Sequence, residues 1–193
     1  MTQEFAIRMI LLGLFAVSAV LRLSPGTSES VRASDDAAQL MFNVGDRLPD
    51  VSLIGSNGKP VRLTDTKSRV KLISIVPQLN TPVCDEQTHH FSEQNAGLDR
   101  TVEIITLSTN PWDGQAAFAK KARISNITFL SDAPSFEFGK RTGLLLPMYR
   151  ILHRAVIVAD AENVIRYVQL VPMGELPNFD AAYDAARTLA AAR

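Results

Sequence analysis

The stretch Val70–Phe91, VKLISIVPQLNTPVCDEQTHHF, constrains the rest of the chain more than any other. It opens on Val70–Val76, a run rich in apolar and β-branched residues with the length of a buried strand. Pro77 has no N–H to give to a sheet ladder and ends that strand. After Gln78–Asn80, Thr81 suits a helix N-cap and Pro82 suits the first helical position. A helix is therefore predicted from about Pro82 into the nineties. Cys84, the only cysteine of the chain, then falls in the first turn of a helix that follows a strand. Unpaired backbone N–H groups point at a sulfur placed there, the helix dipole favours its anion, and the Thr81 hydroxyl is within reach. Thiols in such surroundings are readily ionised near neutral pH, as a nucleophile requires. A lone cysteine is more often a small buried hydrophobe. The strand–Pro–Thr–Cys context is what selects the reactive reading.

The elements on either side fit an α/β layer fold. Val51–Leu53 and Val61–Leu63 flank Gly55-Ser56-Asn57-Gly58, and the Asn-Gly pair predicts a β-hairpin. The loop lacks the GxxxxGK spacing of a phosphate cradle. After the Cys84 helix, Val102–Ser108 reads as a second strand, completing a βαβ unit with parallel pairing. Trp112–Arg123 is predicted helical, Ile127–Leu130 a short strand, and Phe136–Arg141 a short helix closed by Gly143. Arg154–Asp160 and Val164–Val171 should pair across the turn Asp160–Asn163. Phe179–Ala192 is an Ala-rich helix with Asn178 as its N-cap.

The N-terminus reads separately. Met9–Leu21 is an uncharged apolar run of 13 residues between Arg8 and Arg22. It is shorter than the ~20 residues that span a bilayer and resembles the apolar region of a secretory signal. Residues 1–33 are taken as a signal peptide or membrane anchor with the start of a linker. Residues 34–42 complete the linker, and 43–193 form the folded domain. A bacterial periplasmic or membrane-tethered protein facing the periplasm is expected, with a cytoplasmic protein as the alternative. Twenty basic residues balance twenty acidic ones, and no basic run points to nucleic acid. A single cysteine excludes an intrachain disulfide, so the domain must rest on its core.

The spacing Pro77-x-x-x-Thr81-x-x-Cys84 resembles the PxxxTxxC signature of the peroxiredoxins. The longer string VPQLNTPVCDEQTHHF is similar to the thiol peroxidase branch, and the likeness runs from about Asn43 to the C-terminus. It implies a thioredoxin-like fold: a central mixed sheet with helices on both faces and an N-terminal β-hairpin. It also implies a hydroperoxide reductase in which the Cys84 thiolate attacks the O–O bond and becomes a sulfenic acid. Thr81 would hydrogen-bond the sulfur or the peroxide, and Pro77 would wall the pocket. Arg154, in His153-Arg154-Ala155-Val156, would be the cation beside the sulfur, with Arg150 as its nearest rival.

The chain departs from that branch in one respect. Aligning FAKKARISNITFLS, Phe118–Ser131, puts Ala119 where the relatives carry a second, resolving cysteine. A one-cysteine cycle is therefore expected, completed by an external thiol: thioredoxin, glutaredoxin or a small thiol. The resemblance also implies a homodimer. A non-enzymatic redox sensor on the same fold is the alternative, and a thiol–disulfide reductant is weaker because no Cys-x-x-Cys is present. No cofactor or metal is expected. Neighbouring His89 and His90 point different ways on a helix, and no other cluster supports a metal. Trp112 and Phe118 are expected in the core or in a dimer contact.

Overall fold

The computed structural model describes residues 39–66 and 69–192. The apolar run Met9–Leu21, and the expected signal and linker up to residue 38, lie outside the described residues. No helix among the described residues is long and apolar enough to cross a membrane.

The centre of the fold is β3 (Lys71–Ile75), in which every residue is buried. It pairs in parallel with β4 (Glu103–Ser108) and antiparallel with β8 (Ala155–Ala159), so it has no open edge. β8 returns antiparallel through β9 (Ile165–Leu170), as the predicted hairpin requires. On the other side β5 (Thr128–Ser131) pairs in parallel with β4. β1 (Ser52–Gly55) pairs antiparallel with β5, and β2 (Pro60–Arg62) closes the edge. The sheet has seven strands in the order β2-β1-β5-β4-β3-β8-β9. It is mixed because hairpins can pair only antiparallel, whereas the helical crossovers from β3 to β4 and from β4 to β5 bring strands back in parallel.

Among the described residues four α-helices are interspersed: α1 (Pro82–Glu93), α2 (Trp112–Ala122), α3 (Glu137–Thr142) and α4 (Phe179–Ala191). Asn178 caps α4 as expected, its Oδ1 accepting from Ala181 N at 3.0 Å. Gly143 ends α3 at φ +74°, and a Cβ there would run into the Gln39 carbonyl. In the β1–β2 turn Gly58 takes φ +73°, and Gly58 N donates to Gly55 O at 2.9 Å.

The strands divide their side chains between two apolar clusters. Leu72, Val76, Ile104, Val156 and Val158 face one side, with Cys84, Phe91, Phe118, Tyr183 and Ala186 from α1, α2 and α4. Ile73, Ile75, Ile105, Leu107 and Ile157 face the other, with Phe138 of α3, Leu63 and Phe42. Full two-sided burial explains why β3 and β8 read as nearly continuous apolar runs.

Two local expectations are corrected, and one element was missed. Trp112 is not in the core: it is 42% exposed and its indole lies over the β1–β2 turn, 3.1 Å from where a Gly58 Cβ would stand. The Thr81 side chain does not cap α1. Its Oγ1 donates to Gln78 O at 2.9 Å, an acceptor brought into reach by the tight turn at Asn80, where φ is +66°. A two-residue hairpin, β6 (Leu145–Leu146) with β7 (Ile151–Leu152), was not anticipated, since strands of that length carry no periodicity.

Candidate active site

The ends of β3 and β8 and the start of α1 converge on Cys84. The ladder of β3 runs one residue further, Val76 N donating to Leu107 O at 3.0 Å, and stops at buried Pro77. The chain then turns through Gln78–Thr81 and is fastened where Leu79 N donates to Asn110 Oδ1 at 2.8 Å. α1 begins at Pro82 and places Cys84, 1% exposed, over the sheet.

Arg154 lies one residue before β8 and is held there as Val171 N donates to its carbonyl at 3.0 Å. It is 3% exposed. Its Nη2 donates to Cys84 Sγ at 3.2 Å. Its Nη1 donates to Gln87 Oε1 through a short hydrogen bond. Gln87, one helical turn beyond Cys84, in turn donates from Nε2 to Ser74 Oγ of β3 at 2.8 Å. All four residues are buried. The described arginines in ion pairs are Arg62, Arg141, Arg166 and Arg187, not Arg154. A buried guanidinium without a carboxylate is costly unless another anion compensates it. The sulfur it touches is the group that can do so, as a thiolate. Arg154 Nε is also buried and has no hydrogen-bond partner among the described residues, which leaves one donor beside the sulfur unused.

Of the residues singled out in the sequence, the structure brings Cys84 and Arg154 into contact and buries Pro77 at the end of β3, seven residues before the thiol. Thr81 stands at the entrance to α1, with its hydroxyl hydrogen given to Gln78 O rather than to the sulfur. Arg150 is elsewhere: its guanidinium sits 5.0 Å over the Phe136 ring. His89 turns to Glu93 at 2.8 Å, while His90 stacks on Phe179 at 3.6 Å between centroids. Burial against α4 depresses the His90 pKa. Ala119 packs against the cluster that holds Cys84. Gln87 and Ser74 were missed in the sequence. The available signal was a serine interrupting an apolar strand and a glutamine one turn from the cysteine on the same helical face.

A mixed sheet with helices on both faces, and a thiol held by a buried arginine at a helix start, define a thioredoxin-like protein of the cysteine-dependent redox class. The chain belongs to the redoxin family, whose model matches residues 43–183. It is 37% identical to the thiol peroxidase of Halalkalibacterium halodurans over 75% of this chain and 87% of that protein. It is likewise 37% identical to the thiol peroxidase of Streptococcus pneumoniae over 77% of this chain and 91% of that protein. Among solved structures, a peroxiredoxin-like protein from Aquifex aeolicus superposes with a TM-score of 0.72 at 31% identity, covering 79% of this chain and 90% of the other. A thiol peroxidase from Chromobacterium violaceum, at 23% identity and a TM-score of 0.67, shares the fold.

Proposed function

We infer that the protein is a thiol-dependent peroxidase that reduces hydrogen peroxide or organic hydroperoxides with Cys84 as its nucleophile. The hydrogen bond from Arg154 Nη2 to Cys84 Sγ carries the reading. In the reaction the thiolate attacks one peroxide oxygen and the O–O bond breaks. The sulfur becomes a sulfenic acid, and the departing oxygen takes a proton to leave as water or an alcohol. Charge moves from sulfur to the departing oxygen, so donors must be aimed at both ends of that path. Arg154 supplies them, Nη2 at the sulfur and the unused Nε for oxygen. Thr81 Oγ, whose hydrogen is engaged with Gln78 O, keeps an acceptor for the O–H of the incoming peroxide. Pro77 shields the pocket floor from water.

With one cysteine in the sequence, the sulfenic acid must be reduced by an external thiol. We extend the proposal to a homodimer and to a periplasmic or membrane-tethered location, the latter resting on Met9–Leu21. N-terminal sequencing of the native protein and sedimentation of the full chain test these two points. The activity itself is tested by stopped-flow peroxide consumption with the reduced protein, which should outpace a free thiol at the same pH by orders of magnitude. A rate equal to that of the free thiol removes the reading. Repeated turnover with any thiol separates an enzyme from a one-shot sensor.

A further inference from the structure

We propose that the cleft between the start of α1 and the C-terminal half of α2 binds the reducing thiol, and that this thiol is a small zwitterion, an amino-acid or peptide thiol bearing both an ammonium and a carboxylate. The proposal rests on the peroxidase reading and supplies its second half.

The cleft is open and encloses about 520 Å³, within the range of roughly 300–1,000 Å³ typical of small-molecule sites. Asn80, Thr81, Pro82, Asp85 and His89 form one wall. Phe118, Lys121 and Ala122 of α2 form the other. The walls carry opposite charge. Asp85 is half exposed, and its nearest partner is His89 Nε2 at 3.7 Å. Lys121 is exposed and makes no ion pair among the described residues. A carboxylate at Lys121 and an ammonium at Asp85 would answer both charges, with the apolar stem of the thiol on Phe118. A neutral thiol could use only the last contact.

The cleft adjoins the sulfur without containing it. Phe118 lines the cleft and also belongs to the apolar cluster that holds Cys84. Thr81 and Asp85 line it and flank Cys84 in sequence, so the first turn of α1 is the partition between sulfur and cleft. That turn is held at Cys84 by Arg154 and Thr88 but is open at its N-terminal end. No side chain caps it, Pro82 contributes no N–H, and Asp85 N to Thr81 O at 2.8 Å closes its first hydrogen bond. An uncapped first turn is the part of a helix that opens most readily. Opening it swings an oxidised Cys84 past Phe118 to the cleft. There the bound thiol attacks the sulfenic sulfur, the S–O bond breaks, and a mixed disulfide forms with release of water. A second thiol then attacks the mixed disulfide, returning Cys84 as a thiol and leaving as the symmetrical disulfide.

The experiment uses the full chain oxidised with one equivalent of hydrogen peroxide. One aliquot is trapped with dimedone to record the sulfenic acid. The rest is turned over with glutathione, a zwitterionic probe, or with 2-mercaptoethanol, a neutral one. The KM for glutathione should be well below that for 2-mercaptoethanol. Lys121→Glu should raise the glutathione KM by roughly fivefold or more while moving the 2-mercaptoethanol KM much less. Asp85→Asn should act in the same direction, and mass spectrometry should find glutathione on Cys84. If the dimedone adduct forms but both variants keep the ratio of the two KM values, the thiol site is wrong and the peroxidase reading stands. Turnover by thioredoxin alone, with no glutathione adduct, also overturns the site. If no dimedone adduct forms, the peroxidase reading fails and takes the proposal with it.

Discussion

The two faces of the central sheet are built from the same strands and do different work. On the face away from Cys84, the buried strand side chains include Ile73, Ile75, Ile105, Leu107 and Ile157, with Lys71 and Glu103 at the starts of β3 and β4, and α3 closes over the aliphatic part. On the Cys84 face the same strands alternate apolar with polar. Ser74 sits between Leu72 and Val76, and Thr106 and Ser108 follow Ile104. Two of those hydroxyls, on Ser74 and Ser108, support the surroundings of Cys84, whereas Thr106 Oγ1 has no hydrogen-bond partner among the described residues. Ser74 holds Gln87, which holds Arg154. Ser108 accepts from Gln115 of α2 at 2.9 Å and donates to Asn110, whose side chain fastens Leu79 of the turn before Cys84. One face is packed for stability. The other gives up apolar area to hydroxyls, and those of Ser74 and Ser108 join the hydrogen bonds that hold Arg154 and the turn before Cys84.

Changes on the Cys84 face should slow peroxide attack, whereas changes on the opposite face should cost stability alone. The largest effect is Cys84→Ser, which should lower peroxide consumption by on the order of 1,000-fold or more, since no other sulfur nucleophile is present. Gln87→Leu comes next. It strands Arg154 Nη1 in the interior and should cost about 1–3 kcal/mol in denaturant unfolding, while slowing peroxide attack by more than tenfold. Ser74→Ala keeps the Gln87–Arg154 bond but leaves buried Gln87 Nε2 without its acceptor, so a slowing of a few-fold and a loss of about 1–3 kcal/mol are expected. On the opposite face Ile105→Val should cost about 1 kcal/mol and leave the peroxide rate within a factor of two. A rate loss there as large as that of Ser74→Ala would erase the distinction.

The apolar face also carries a titration. Asp132, after β5, accepts from Phe138 N at 2.9 Å and Gly139 N at 2.8 Å at the start of α3. Burial raises its pKa from 3.8 to about 6 despite those hydrogen bonds. A raised folded pKa means that folding favours the protonated carboxyl. The stability from this group is complete below the unfolded value near 4 and is lost as pH rises through about 6. Between those pH values the wild type should lose more stability with rising pH than Asp132→Asn, as read from the difference of their denaturation midpoints. The same slope in both would show that the carboxyl is ionised throughout.

The sequence made Pro77, Cys84 and Arg154 legible for different reasons. Pro77 and Cys84 follow from local rules, a strand breaker and then a helix start. Arg154 is 70 residues from Cys84, and only the resemblance to the peroxiredoxins pointed to it. Gln87 and Ser74 were hidden because each looks ordinary in its own element, and their meaning lies in a hydrogen bond between a helix and a strand. The expected Thr81 cap failed for a local reason. A threonine before a helix has competing acceptors, and here the Gln78 carbonyl takes its hydrogen. Of the two places expected for Trp112, the core or a dimer contact, the core is ruled out, because the β1–β2 turn offered a glycine for the indole to lie on.

The role proposed for Arg154 goes beyond favouring a thiolate to stabilising the oxygen that departs. Two electrophiles distinguish these roles. Iodoacetamide reports how nucleophilic the sulfur is, and hydrogen peroxide reports that together with stabilisation of the departing oxygen. The measurement is the ratio of the two second-order rate constants across a pH series, in wild type and in Arg154→Met, with folding checked by circular dichroism. Arg154→Met should lose roughly 100-fold or more against peroxide and far less against iodoacetamide at the alkaline end of the series, so that the ratio collapses. Equal losses toward both reagents would leave Arg154 as a counter-ion to the thiolate and would contradict the claim.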